Sequence, residues 1–408
     1  MRFTKGVAVL AMMGTALIAG AQSTWTFNSL HDFDRTSARA EGGVILAPDG
    51  NYYGTFSQGG ANGNGGIFKV AIDPATGNSS YSVVYSFSAL AGNGANADGA
   101  ASAQSPAGSL ALSADFTQLY GTTTAGGAFG LGTLFSLTLP TLANPSPSFG
   151  TLASFGASSA AQGFVTAQPA LQIVVGPDGT VYGTSPGGEI WKYDGSPSVL
   201  YTLSMGTGPR VNHDGELPQG LVYGPDGKLW GVCASGGANA SGTVFNLTTT
   251  GQFSLVYTYS SGPYQSNQTN SDGANPIGLS ALPDGSGFYV VTTQGGANGS
   301  GAIGKATVAG VFTALGSLPA AGDAGGSTPT AAPLVASDGT ILQTFSAGGA
   351  NGTGAVSTVT LPPVAAAVAF PAGAGTLATV TLSPVFTFLA LSSDGSNSSG
   401  AIPVGPTM

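Results

Sequence analysis

Two histidines, one cysteine and eighteen carboxylates are what this chain offers for proton transfer, nucleophilic attack or metal ligation, and charged residues make up only 7% of its 408 positions. The richest polar cluster is Pro209-Arg210-Val211-Asn212-His213-Asp214-Gly215-Glu216. An imidazole titrates near neutrality, so His213 is the candidate general base. Glu216 is then the candidate acid, and Arg210 the candidate charge partner, at the mouth of a channel. A structural reading competes with this one. Asp214-Gly215 recurs as Asp98-Gly99 and Asp272-Gly273, which makes the Asp a turn residue. The structural reading is preferred, and the sequence leans away from an enzyme.

The remaining reactive side chains read as structural. Cys233 has no histidine nearby in sequence and is taken as a small core residue. As the lone cysteine it excludes an intrachain disulfide. His31 lies beside Asp32 and Asp34 at a strand end. With Glu41 those two acids are the only grouping that suits calcium, but no Asp-x-Asp-x-Asp-Gly loop is present, so a solvated acidic loop is preferred. The glycine-rich loops lack the Gly-Lys-Ser or Gly-Lys-Thr step into a helix that a phosphate cradle requires. No metal and no cofactor is expected.

Charge narrows the partners. Nine basic residues face eighteen acidic ones. Residues 1–21 carry Arg2 and Lys5, an apolar stretch too short to span a bilayer, and Ala19-Gly20-Ala21 before Gln22. They are expected to be a cleaved secretory signal peptide. Removing them takes away two bases and no acid, leaving a net charge of −11. Such a surface argues against nucleic acid and anionic lipid, and the mature chain shows no membrane-spanning segment. A secreted or cell-surface monomer is expected.

The organising feature is a repeat. One phrase recurs six times: an apolar run, an Asp-Gly turn, Tyr-Gly-Thr, a Gly-Gly loop and a second apolar run. Two copies read GGVILAPDGNYYGTFSQGGANGNGGIFKV (42–70) and QGLVYGPDGKLWGVCASGGANASGTVFNL (219–247). Equivalent positions are Tyr53, Tyr120, Tyr182, Trp230, Tyr289 and Leu342, at spacings of 67, 62, 48, 59 and 53 residues. The uneven spacing places the extra residues in loops. A further strand follows the first five copies, at 83–87, 151–155, 199–203, 255–259 and 311–318. Each unit thus offers four strands, a to d. Asp-Gly makes the a–b hairpin, because glycine accepts positive φ. The second copy has Asp115-Phe116 there, so that turn is expected to differ.

Four-stranded units repeated six times predict an all-β fold, a β-propeller of six or seven blades. The propeller is placed at 22–361. Residues 362–408 form a β-rich tail, read either as a degenerate seventh blade completed by residues 26–33 or as packing outside a ring that residues 26–33 close. In an antiparallel meander the a–b and c–d turns share one face. The b–c loops share the other with the long d–a connections, and that face is expected to carry function. Its candidate binding residues are Asn239, Asn298 and Asn351.

These phrases resemble the GloVer tandem-repeat family of exported bacterial proteins, whose pattern runs DG..P..GL...DGNLYGTT..GG....GTVFKL and then a strand ending in Ser-Phe. The resemblance extends from about Trp25 to Leu361 and departs at Val290-Val291 and in the shortened third copy. It implies export and repeat architecture and supplies no catalytic residue. The expected function is therefore that of a non-catalytic extracellular propeller binding protein or glycan. The alternatives are a propeller-type hydrolase or lyase at the channel mouth, and a structural cell-surface protein.

Overall fold

The computed structural model describes residues 38–40, 44–73, 75–100, 110–141, 146–156, 172–204, 211–260, 269–323, 326–336, 339–348, 355–360 and 385–390, the first and last of these by backbone alone. Every regular element among them is a β-strand, and the strands form six antiparallel sheets, the six blades of a β-propeller. The first blade comprises Ala38–Ala40 with Ile45–Leu46 as strand a, then Tyr52–Gly59, Gly66–Ile72 and Ser79–Ser86. The second is Ala111–Leu112, Gln118–Thr122, Thr133–Thr138 and Ser148–Ser154, and the third Ile173–Val175, Val181–Thr184, Glu189–Tyr193 and Pro197–Thr202. The fourth is Glu216–Tyr223, Lys228–Ser235, Thr243–Thr248 and Phe253–Thr258, and the fifth Ala274–Ala281, Gly287–Gln294, Ala302–Thr307 and Phe312–Ser317. The sixth is Ser327–Pro329 with Leu334–Val335, then Ile341–Ala347, Ala355–Thr360 and Val385–Ala390.

The ring has six blades, one of the two counts expected, and the strand Val385–Ala390, within the segment read as a β-rich tail, pairs in register with Ala355–Thr360 as strand d of the sixth. The physical reason is that strand c of that blade has an edge to fill, and an apolar strand fills it wherever it lies in sequence. Residues 26–33 lie outside the described residues, as do 1–21. Strand a is also longer than the run before Asp-Gly. In the fourth and fifth blades it starts at Glu216 and Ala274 and carries a bulge between Pro218 and Gly220 and between Pro276 and Gly278. The residue before each proline, Leu217 and Asn275, takes positive φ, as does Thr328 before Pro329 in the sixth. A conformation repeated at one register in three blades belongs to the architecture.

Tyr-Gly-Thr has a packing logic. Each glycine lies directly opposite an aromatic residue of strand c: Gly54 opposite Phe68, Gly121 opposite Phe135, Gly183 opposite Trp191, Gly231 opposite Phe245. The ring folds over the bare backbone so closely that a β-carbon on Gly231 would lie 2.4 Å from Phe245. The fifth blade arranges this differently. Val290 stands on strand b, Gly304 opposite it on strand c, and Phe312 covers Gly304. The departure at Val290 is thus accompanied by a glycine opposite it on strand c, and the ring that covers this glycine comes from strand d.

The second a–b turn does not differ from the others. Phe116 N–H donates to Ser113 O at 2.9 Å, as Gly50 does to Ala47, Gly179 to Gly176 and Gly285 to Leu282. Phe116 holds φ 61 where those glycines hold 77, 82 and 68. Hairpin closure dictates the left-handed residue, and here phenylalanine adopts it.

From the first blade to the sixth the packing is continuous among the described residues. Tyr53, Ile67 and Phe87 of the first meet Leu119, Phe135 and Leu137 of the second. Trp230, Val232 and Val244 of the fourth meet Leu279, Phe288 and Val290 of the fifth. Gly231→Ala is expected to lower the unfolding free energy by about 2 kcal/mol, through overpacking against Phe245. Chemical denaturation checks this, and a loss below about 0.5 kcal/mol contradicts the ring-over-glycine account.

Candidate functional site

The polar cluster that sequence singled out sits where the chain enters the fourth blade. His213 is exposed, Glu216 is half-buried opposite Ser235, and Arg210 lies outside the described residues. Between them Asp214 is only 3% exposed. Its carboxylate accepts from Tyr201 Oη at 3.0 Å, from Ser204 N–H at 2.9 Å, and from Ser204 Oγ. It is more than a turn residue, because it ties strand d of the third blade to the start of strand a of the fourth.

The same clasp recurs. Asp98 accepts from Tyr85 Oη at 2.5 Å, Ser88 N–H at 3.0 Å and Ser88 Oγ. Asp272 accepts from Tyr257 Oη at 2.7 Å, Ser260 N–H at 2.8 Å and Ser260 Oγ. Two residues upstream an asparagine completes the joint. Asn212 Oδ1 accepts from Gly215 N–H and Gly237 N–H, both at 2.8 Å, and Asn96 and Asn270 do the same for Gly99 with Gly127 and for Gly273 with Gly296. The tyrosine ring also stacks on a phenylalanine of the next blade's strand d. Tyr85 lies 3.9 Å from Phe149, Tyr201 4.7 Å from Phe253 and Tyr257 4.1 Å from Phe312. Burial, followed by the hydrogen bond to the carboxylate and its charge, pushes the Tyr201 phenol up to about 12. Tyr85 and Tyr257 are raised further for the same reasons.

Of the candidate binding residues, two are committed to the scaffold. Asn239 Nδ2 donates to Tyr259 O at 2.9 Å, and Asn298 Nδ2 donates to Leu318 O at 2.8 Å. Asn62 does likewise to Phe87 O. These amides pin the b–c loop to the end of strand d. Asn351 lies outside the described residues, as do His31, Asp32, Asp34 and Glu41. Cys233 lies within strand b and is fully buried, and burial pushes its thiol up to about 12, far from a thiolate at neutral pH. Among the described residues no group of three or more His, Cys, Asp or Glu is placed to hold a metal ion. Among them, too, no helix is long and apolar enough to cross a membrane.

A concavity opens on the other face, among the a–b turns. It holds about 800 Å³ and spans the second to fifth blades, with Val175, Pro177, Tyr223, Pro225, Leu282 and Pro283 in its wall. Sequence reasoning looked to the long loops instead. The recurring Gly-Pro-Asp-Gly and Leu-Pro-Asp-Gly turns were the available signal, since they converge on one end of a ring. One carboxylate stands at each of the five described Asp turns, Asp49, Asp115, Asp178, Asp226 and Asp284, and that of Asp226 is largely covered, accepting from Trp230 Nε1 at 3.0 Å. Hydrogen bonds from Ser113 and Thr117, and from Ser286, hold Asp115 and Asp284 below the usual carboxylate range, so they stay ionised.

No family model matches the chain, and no curated protein does. Solved structures resemble it. A TolB-like protein of Agrobacterium tumefaciens is 15% identical over 58% of this chain and 69% of that one, with a TM-score of 0.34. A puromycin hydrolase mutant complexed with PGG is 13% identical over 82% of this chain, with a TM-score of 0.44. A Mycobacterium tuberculosis puromycin-hydrolyzing peptidase is 12% identical over 78% of it, with a TM-score of 0.40. The chain spans 44% and 41% of the length of those last two proteins. Likenesses at this level assign no activity.

The clasp generates two predictions. Asp272→Ala strips an acceptor from Tyr257 and from both Ser260 donors, and is expected to cost about 3 kcal/mol of stability. A double-mutant cycle with Tyr257→Phe is expected to show about 1 kcal/mol of coupling, and additive losses contradict the joint. The second concerns alkaline pH. The folded state holds Tyr201 protonated up to about 12 against an ordinary 10.0, and Cys233 up to about 12 against 9.0. Raised pKa values give stability that is complete below the unfolded values and lost as pH climbs through the folded ones. Circular dichroism is expected to show thermal stability falling between about pH 9 and pH 12.

Proposed function

We propose that this is an exported propeller that binds an extracellular protein or glycan without turning it over, and that the concavity among the a–b turns is where it binds. The observation that carries this reading is what the described reactive groups already do. Asp98, Asp214 and Asp272 accept three hydrogen bonds or more each inside blade joints, and Cys233 is sealed in the core. The side chains with catalytic types are thus the mortar of the scaffold. The concavity offers instead a preformed apolar floor of proline, valine and leucine with a tyrosine, the composition of a recognition surface. Export rests on the basic, apolar and small-residue sequence of residues 1–21. The resemblance to GloVer repeats supports the same setting.

The test pairs binding with turnover. Mature protein is screened on a glycan array and against purified extracellular proteins, and in parallel on chromogenic ester, lactone, glycoside and peptide substrates. Saturable binding without turnover is expected, and His213→Ala is expected to leave binding intact and stability within about 0.5 kcal/mol. Turnover that disappears in His213→Ala overturns the reading in favour of a hydrolase.

A further inference from the structure

We propose, building on a binding role for the concavity, that its occupant is a basic, apolar segment of polypeptide seated against the ring of Phe116. The starting observation is a residue out of place. The a–b turn needs a left-handed residue, and Gly50, Gly179, Gly227, Gly285 and Gly339 supply it in the other five blades. At Gly50, Gly179, Gly227 and Gly339 nothing lies within 4 Å of where a β-carbon would be, so the scaffold has no need of a side chain there. The second blade nevertheless holds phenylalanine at φ 61 with 60% of its surface exposed. The positive φ values of Leu217, Asn275 and Thr328 recur before proline at one register in three blades and belong to the build of strand a. Ala240, in a b–c loop, also holds a positive φ, at 56, but carries only a methyl group, whereas Phe116 presents a full aromatic ring. A strained backbone that presents an apolar ring to solvent lowers stability twice over, and such residues persist where a ligand uses them.

Its position selects the use. Phe116 stands two residues beyond Ala114, which lines the concavity, and so places an exposed aromatic ring in a turn at the border of an opening across four blades. An opening of that breadth suits an extended chain. The surface is poor in donors, since Pro177, Pro225 and Pro283 carry no N–H. It carries acceptors, because Asp115, Asp178 and Asp284 stand exposed in the same turns. Lys192 is engaged with Asp194 at 2.8 Å, Lys228 stands beside Asp226 at 3.8 Å and Lys305 donates to Ser286 at 3.0 Å, while Lys69 belongs to the first blade, outside the four that line the concavity. An occupant must therefore bring donors and positive charge together with apolar area. Lysine or arginine beside leucine or phenylalanine does both, and a cation over the Phe116 ring adds a further attraction.

The experiment uses the full mature chain and two fluorescein-labelled peptides, one alternating lysine with leucine and phenylalanine, the other with glutamate in place of lysine. Fluorescence anisotropy is expected to show saturable binding of the lysine peptide, weakened by added salt, and none of the glutamate peptide. Phe116→Gly restores the residue used by the other blades, so its melting temperature is expected to hold or rise. Its affinity for the lysine peptide is expected to fall about ten-fold. Asp178→Asn with Asp284→Asn keeps the turn hydrogen bonds and is expected to weaken binding as well. Equal affinity of Phe116→Gly and the unmodified protein overturns the proposal, as does binding of the glutamate peptide. A lysine peptide that fails to bind also overturns it. If a glycan-array signal is then lost in Phe116→Gly, the binding role of the concavity stands and only the occupant is wrong.

Discussion

A buried carboxylate is the costliest common group to place inside a protein, and this propeller places one at three of its blade joints. Asp98, Asp214 and Asp272 are 6%, 3% and 4% exposed. Each is tolerable only because a tyrosine, a serine hydroxyl and a backbone N–H converge on it. The partners come from strand d of the preceding blade, so the acid is satisfied only when two neighbouring blades have docked. The chain serves as its own control. Strand d of the second blade has Ala153 and Gly156 where others have tyrosine and serine, and strand d of the fifth has Gly316 and Pro319. At the joint after the fifth blade Gly325 stands where the aspartate would be. At that joint all three members are replaced together, as expected where losing one strands the others in the interior. The joints after the second and fifth blades are filled by apolar contact, with Phe155 on Trp191 at 5.3 Å in the former and Leu318 with Phe345 in the latter.

The architecture was legible because its period is legible. Asp-Gly, Tyr-Gly-Thr and Gly-Gly each impose a backbone demand that glycine meets, and six copies fix the order of strands a to d. The clasp was less legible. Tyr201 and Asp214 are thirteen positions apart, and nothing in either residue's own neighbourhood announces the other. Only comparison across copies reveals that tyrosine, serine and aspartate travel together. The role of the strand Val385–Ala390 was left open for a related reason. Edge filling is decided by pairing in space, and the intervening residues carry no trace of it.

The site was the least legible part. Reading by residue type favours histidine, glutamate and asparagine, and the structure shows Asn239 and Asn298 bound to backbone carbonyls and His213 standing in solvent. The concavity is built from residues that carry no chemical alarm: prolines, a valine, a leucine. Phe116 was noticed in the sequence as a break in the turn pattern, but its meaning rests on backbone geometry. Only once the turn is seen unchanged does the phenylalanine become an anomaly rather than a variant.

The placement of Val385–Ala390 bears on how the chain is completed during synthesis. Blades one to five are each built from strands that emerge in succession, so each can pair as it appears. The sixth has its strands b and c in hand by Thr360 and waits for Val385 before its outer edge is covered. During that interval Ala355–Thr360 presents a free line of N–H and C=O groups, a template for any other strand in reach. A nascent or proteolytically shortened chain ending between those residues is thus a nucleus for edge-to-edge association, while the five earlier blades are already sound.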